Sequence, residues 1–111
     1  MIKNDLLLKL KGGENMPKSI TTAQLSQIIV SNPFIIDIRE AYEYAPFHLP
    51  TAVNIPYQSL VMYPERYLNR KDTYYLICQH GGESYRACLL LEPAGYKVIS
   101  IAGGYSNMRY F

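Results

Sequence analysis

Thr73-Tyr74-Tyr75-Leu76-Ile77-Cys78 runs directly into Gln79-His80-Gly81-Gly82-Glu83-Ser84, and the fold turns on how that junction is read. The first six residues are rich in β-branched and aromatic side chains, so they predict the strongest strand in the chain, with Cys78 as its last residue. Gly81-Gly82 then forces a tight loop. Ser84 is placed to cap a following helix, in which Ala87, Leu90, Leu91 and Ala94 recur at i, i+3, i+4 and i+7. Gly95, near Pro93, ends that helix, and Lys97 to Ala102 forms a final strand.

The same alternation extends upstream. Phe34-Ile35-Ile36-Asp37-Ile38 is a nearly continuous apolar run, the pattern of a strand buried on both faces. Before it, Thr21 and Gln24 have capping-box spacing and open a helix to about Val30, which Ser31-Asn32-Pro33 stops. A further strand is placed around Ser19 and Ile20. After Ile38 come a short helix over Glu40 to Tyr44 and turns at Pro46 and Pro50. The short strand Ala52-Val53-Asn54-Ile55 follows, closed by Pro56. Gln58 to Tyr67 reads as partly helical, limited by Pro64. Strands alternating with helices imply a mainly parallel sheet with helices on both faces.

A chain of 111 residues fits one domain, and a 49% hydrophobic content supplies a core. The body is placed at 18–111. Residues 1–17, with Gly12-Gly13 and Met16-Pro17, read as a leader or arm outside it; an ordinary frayed terminus is the plainer alternative. A net charge of +2, scattered along the chain, argues against nucleic acid or a membrane surface as partner. The eleven tyrosines lack a basic groove beside them, so core and rim packing outweighs base stacking. No apolar stretch is long enough to cross a bilayer. Leu6-Leu7-Leu8 is cut short by Lys9 and Lys11, too short for a secretory signal, so the expected location is cytoplasmic.

Cys78 and Cys88 are too few for a disulfide scaffold, and with His48 and His80 they make no zinc spacing. Ligands of open parallel sheets bind just beyond the carboxyl ends of the strands. A thiol there, followed by a glycine-rich loop and a helix start, meets converging backbone N–H groups and a helix dipole. Such a nest favours a thiolate and an anion attached to it. Cys78 is therefore the candidate nucleophile, and Cys88, beside the helix's apolar stripe, a core residue. His80 is divided evenly between tuning the sulfur and being a solvated loop residue. Arg86, in the first turn, could reach back to the mouth, although a plain exposed arginine is the simpler reading. Asp37 and Arg39 sit where the loop should fold, as a brace or entry rim, with a structural ion pair the simpler reading.

The loop resembles the rhodanese family's C-x-x-G-x-R-S at Cys78, Gly81 and Ser84. Ile36-Asp37-Ile38-Arg39 with Glu43-Tyr44 is similar to its I-D-x-R-x-x-x-E-[YF], and His48 to Pro56 to its G-H-I-P-G-A-x-N-I-P. Ala87, Gly95-Tyr96-Lys97-Val98 and Gly103-Gly104 resemble its A…G-[YF]-x-V…G-G. The resemblance spans about Ile20 to Asn107. It implies a five-stranded parallel α/β domain and sulfurtransferase activity. Cys78 would take a sulfane sulfur from thiosulfate or a persulfide and pass it to a thiol or cyanide, with a protein sulfur acceptor also open. Gln79, His80, Gly81, Gly82, Glu83 and Ser84 would form the donor-binding loop, supported by Asp37 and Arg39. No metal or organic cofactor is implied.

Three departures stand out. Glu83 occupies the family's arginine position, and Phe47 and Thr51 replace the two glycines flanking the His48 segment. Glu83 also raises a second reading, a non-catalytic module that binds a partner or senses redox state. Phosphatases and arsenate reductases of the same fold carry a longer C-x5-R loop. Here Ser84 stands six residues after Cys78, and the nearest arginine is Arg86, which disfavours them.

Overall fold

The apolar runs become the strands of a five-stranded sheet, parallel throughout, in the order β1-β5-β4-β2-β3. The computed structural model describes residues 16–108. Along it lie β1 (Lys18–Ile20), α1 (Thr22–Ile28), β2 (Phe34–Asp37), α2 (Ala41–Tyr44), β3 (Val53–Asn54), α3 (Tyr57–Met62), β4 (Thr73–Ile77), α4 (Gly82–Leu91) and β5 (Lys97–Ile101). Short 3-10 turns cover Ile29–Ser31, Pro64–Arg66 and Gly104–Asn107. Among the described residues no helix is long and apolar enough to cross a membrane. Of the expected arm over 1–17, residues 1–15 lie outside the described residues; Pro17 is buried beside the start of β1.

Local chemistry explains the boundaries. The Thr21 hydroxyl accepts from the Gln24 amide at 3.0 Å, and Gln24 Oε1 accepts from the Thr21 amide at 2.8 Å, closing the capping box at the head of α1. At the other end Asn32 takes a left-handed conformation, φ 57°, which halts the helical turn before Pro33. Alternate strand residues then divide between two cores. Ile35, Ile77 and Ile101 pack with Leu25 of α1, Leu49 and Tyr105. Ile36, Leu76 and Val98 pack with Leu60 of α3 and with Ala87, Cys88 and Leu91 of α4. Burial on both faces of the sheet explains why the central strand β2 reads as a nearly continuous apolar run up to the buried Asp37.

The helix after the loop differs from expectation in two respects. It starts at Gly82, with Gly81 (φ 98°) as a cap that supplies no side-chain bond, so Ser84 is not the cap but lies inside the first turn, fully buried. Its buried face is Ser84, Ala87, Cys88 and Leu91, while Leu90 is 55% exposed and Ala94 lies beyond the helix end. Early winding brings Ser84 round to face the sulfur, and the helix leans on β4 and β5 along that line. The β4 ladder itself ends at Ile77, leaving Cys78 one residue past it, a boundary difference within ordinary variation.

Candidate active site

Cys78 leaves β4 at the carboxyl end of the sheet, and its loop turns back over the sulfur. Sγ accepts the Gly81 amide at 3.1 Å and the Ser84 amide at 3.3 Å, and it lies 3.6 Å from Ser84 Oγ. A sulfur held by two amides at a helix start is placed to carry negative charge. Ser84 Oγ donates to the Gly81 carbonyl at 3.1 Å, and a 2.7 Å hydrogen bond joins it to the buried Ser100 hydroxyl on β5. Cys78 is only 2% exposed, so it is reached through the mouth of the loop.

That mouth is a cleft of about 290 Å³ lined by Cys78, Gln79, His80, Gly82, Glu83 and Arg86. Four residues expected in the donor loop thus line it together with Cys78. Gly81 and Ser84, expected in the donor loop as well, do not line it; they stand behind the sulfur, to which their amides donate. Arg86 joins Glu83 at the rim, and both are exposed, as is His80. A larger hollow of about 620 Å³ opens at the amino ends of β2 and β4, between Phe34, Val53, Tyr67 and Tyr74. It is lined by no cysteine, unlike the smaller cleft above Cys78.

The loop is clamped from below by the turn that follows β5. The Cys78 carbonyl accepts the Tyr105 amide at 3.0 Å, and the Gln79 carbonyl accepts the Ser106 amide at 2.9 Å. Two glycines permit this approach. A Cβ on Gly81 would lie 2.6 Å from the Gly103 amide nitrogen, and one on Gly104 (φ 56°) would overlap the Cys78 carbonyl. Both residues also use left-handed backbone angles that side chains resist.

Asp37 and Arg39 sit beside this clamp as a buried ion pair, Nη2 to Oδ2 2.9 Å. Asp37 also accepts from the Arg39 amide and from the Tyr105 hydroxyl at 2.8 Å. Arg39 reaches the Phe47 carbonyl at 2.7 Å, lies 4.0 Å over the Tyr105 ring, and comes within 3.5 Å of Gln79 Oε1. Burial alone would lower the Arg39 pKa, but the hydrogen bonds and charge of Asp37 outweigh it and the net shift is upward. Burial pushes the Tyr105 phenol up despite an opposing hydrogen bond from the Leu49 amide, and Asp37 adds to the rise. Tyr105 therefore stays a neutral donor to Asp37. His48 is held apart from the cleft, with Nδ1 2.7 Å from the Tyr44 carbonyl and its ring stacked on that of Tyr44.

Ser100 and Tyr105 also belong to this site, and the sequence alone does not mark them as site residues. The signal for Ser100 was a polar residue at a core position of Val98-Ile99-Ser100-Ile101. Tyr105 gave none beyond following Gly103-Gly104. Among the described residues no cluster of three His, Cys, Asp or Glu side chains forms a metal site.

Cys88 is fully buried on the inner face of α4 and does not line the cleft. Desolvation, with a smaller contribution from the Glu92 charge, pushes its thiol up to about 12 from an ordinary 9.0. Between those values the unfolded chain has lost the proton that the folded chain keeps. Stability from this group is complete below about pH 9 and falls by roughly 1.4 kcal/mol per pH unit toward pH 12. Cys88→Ala is expected to flatten the alkaline decline of stability, checked by urea melts from pH 8 to 11. A decline of unchanged slope would contradict the burial argument.

The comparisons with known proteins agree with this architecture. The family model for the rhodanese-like domain matches residues 21–109. The Bacillus subtilis protein named "Putative sulfurtransferase YtwF" is 33% identical over 91 residues, 78% of this chain and 85% of that protein. A second Bacillus subtilis protein, "Putative sulfur carrier protein YrkF", is 35% identical over 71 residues, 63% of this chain but 38% of that one. The crystal structure of a rhodanese-like domain protein from Staphylococcus aureus superposes with a TM-score of 0.74 at 28% identity, covering 80% of this chain and 88% of that one. With a five-stranded parallel sheet, a cysteine loop at its carboxyl end and a family match across most of its length, this chain belongs to the rhodanese-like domain family.

Proposed function

We propose that the protein is a sulfurtransferase whose Cys78 carries sulfur as a persulfide. The observation that carries this reading is the placement of Sγ, under the Gly81 and Ser84 amides and at the floor of an open cleft. In the first step the Cys78 thiolate attacks the sulfane sulfur of thiosulfate or a persulfide. An S–S bond forms at Cys78 as the donor's S–S bond breaks, and sulfite or a thiolate leaves with the bonding pair. In the second step a thiol, cyanide or a protein thiol attacks the outer sulfur and regenerates the Cys78 thiolate. The sulfurtransferase and sulfur-carrier names of the relatives support sulfur transfer in general and an acceptor that is itself a protein.

Intact mass spectrometry after incubation with thiosulfate or a polysulfide tests the reading. One added sulfur on Cys78, removed by a thiol, is the expected result. The presence of Glu83 on the rim favours a second reading, a partner-binding or redox-sensing module without turnover. No added sulfur from any donor would leave that second reading in place.

Glu83 also bears on the donor. A carboxylate about 6 Å from a bound anion opposes each charge by roughly 3 kcal/mol at an effective dielectric near 20. Exposure to salt and water cuts that to about 1 kcal/mol, worth around tenfold in rate. Glu83→Arg is therefore expected to raise kcat/KM for thiosulfate about tenfold or more, mainly through KM, with the gain shrinking as salt is added. An unchanged KM would show that Glu83 does not face the donor.

A further inference from the structure

The rim of the cleft presents one charge of each sign. Glu83 and Arg86 lie three residues apart on α4, so they share a helix face, and both line the cavity above Cys78. Both are exposed. The ion pair among the described residues is Asp37–Arg39, so among those residues neither Glu83 nor Arg86 has a partner within ion-pair distance. A dianion entering this cleft meets a carboxylate, and a simple cation meets a guanidinium. A ligand carrying both charges satisfies each.

The geometry points to a zwitterionic aminothiol persulfide, of the cysteine persulfide type, as the sulfur donor. This deepens the sulfur-transfer reading and rests on it. The α-carboxylate faces the Arg86 guanidinium, which offers a planar fork suited to it. The α-ammonium faces Glu83. Both groups of such a donor sit on one carbon, two bonds from the inner sulfur, so they reach the rim while the sulfane sulfur reaches the floor. Size agrees: a cavity of about 290 Å³ holds roughly ten heavy atoms at ~30 Å³ each, and such a donor has about eight. The transfer balances without an added oxidant. The Cys78 thiolate attacks the outer sulfur of R–S–SH, one S–S bond forms as another breaks, the proton stays on the outer sulfur, and R–S⁻ leaves with the electron pair.

The test uses the full chain and three persulfides generated from cysteine, from cysteamine (no carboxylate) and from 3-mercaptopropionate (no ammonium). Quenched intact mass spectrometry follows the rate of sulfur loading on Cys78. Loading from cysteine persulfide is expected to be about tenfold faster than from either single-charge analogue. Glu83→Gln is expected to erase the advantage over the 3-mercaptopropionate donor, and Arg86→Gln the advantage over the cysteamine donor. Equal loading from all three donors by the unaltered protein would overturn the donor assignment while leaving sulfur transfer intact. A preference that survives both substitutions would overturn it as well. No loading from any donor would instead remove the underlying sulfur-transfer reading.

Discussion

Replacing Cys78 with serine is expected to reduce sulfur transfer to background while the domain stays folded. The change swaps sulfur for oxygen at one buried atom and leaves the Gly81 and Ser84 amides an acceptor at nearly the same place. Serine, however, offers no anion at neutral pH and no S–S bond to form, so both displacement steps fail. Cys88→Ser provides the contrast. Cys88 lies on the buried face of α4, away from the cleft, and its thiol pKa is pushed up to about 12. That variant should keep most activity at some cost in stability, because a hydroxyl enters an apolar site. Thiocyanate formation from cyanide, with thermal melts on both variants, decides the matter. Equal loss of activity in two folded variants would overturn the assignment of a single nucleophile.

Gly104→Ala is expected to be the most damaging single methyl group in the domain. Its φ of 56° alone costs an L-residue roughly 1–2 kcal/mol. The added Cβ would also overlap the Cys78 carbonyl and crowd Gln79. Neither neighbour is a side chain that can swing away; both are backbone, held by the Tyr105 and Ser106 amides. Relief requires the loop to part from the turn, which sacrifices those hydrogen bonds and displaces the sulfur. The total should exceed about 3 kcal/mol, a loss of roughly 12 °C or more in Tm for a domain of this size. Activity should fall even at temperatures where the variant is folded. A Tm within a few degrees of the original, with full activity, would show that the contact relaxes cheaply. Gly82→Ala is the matched control, since a Cβ at Gly82 meets nothing within 4 Å.

The parts of this architecture visible in the sequence are those set by neighbours in the chain. The Thr21 capping box, the nearly continuous apolar run of β2 and the Cys78-to-Gly82 loop each follow from contiguous residues. What escaped depends on partners far apart. Ser84 looks like a helix cap until β5 places Ser100 against it, 16 residues later. The role of Tyr105 rests on a bond to Asp37 across 68 residues, which no local pattern encodes. Leu90 fits an apolar stripe as well as Cys88 does, and only the angle at which α4 meets the sheet turns one outward and the other inward.

The two hydrogen bonds that tie the Cys78 and Gln79 carbonyls to the turn after β5 bear on how substrates enter. Many enzymes close a lid over the reactants and open it again to release product, and that motion sets their turnover. A loop fastened at consecutive carbonyls has no hinge of its own. Swinging it outward would break both bonds to the turn. Entry and exit then proceed by diffusion through a fixed opening, and viscosity should slow donor capture without changing the rate of sulfur exchange once the donor is seated. In the proposed sulfur transfer, discrimination among donors would then fall to the Glu83 and Arg86 charges at the rim.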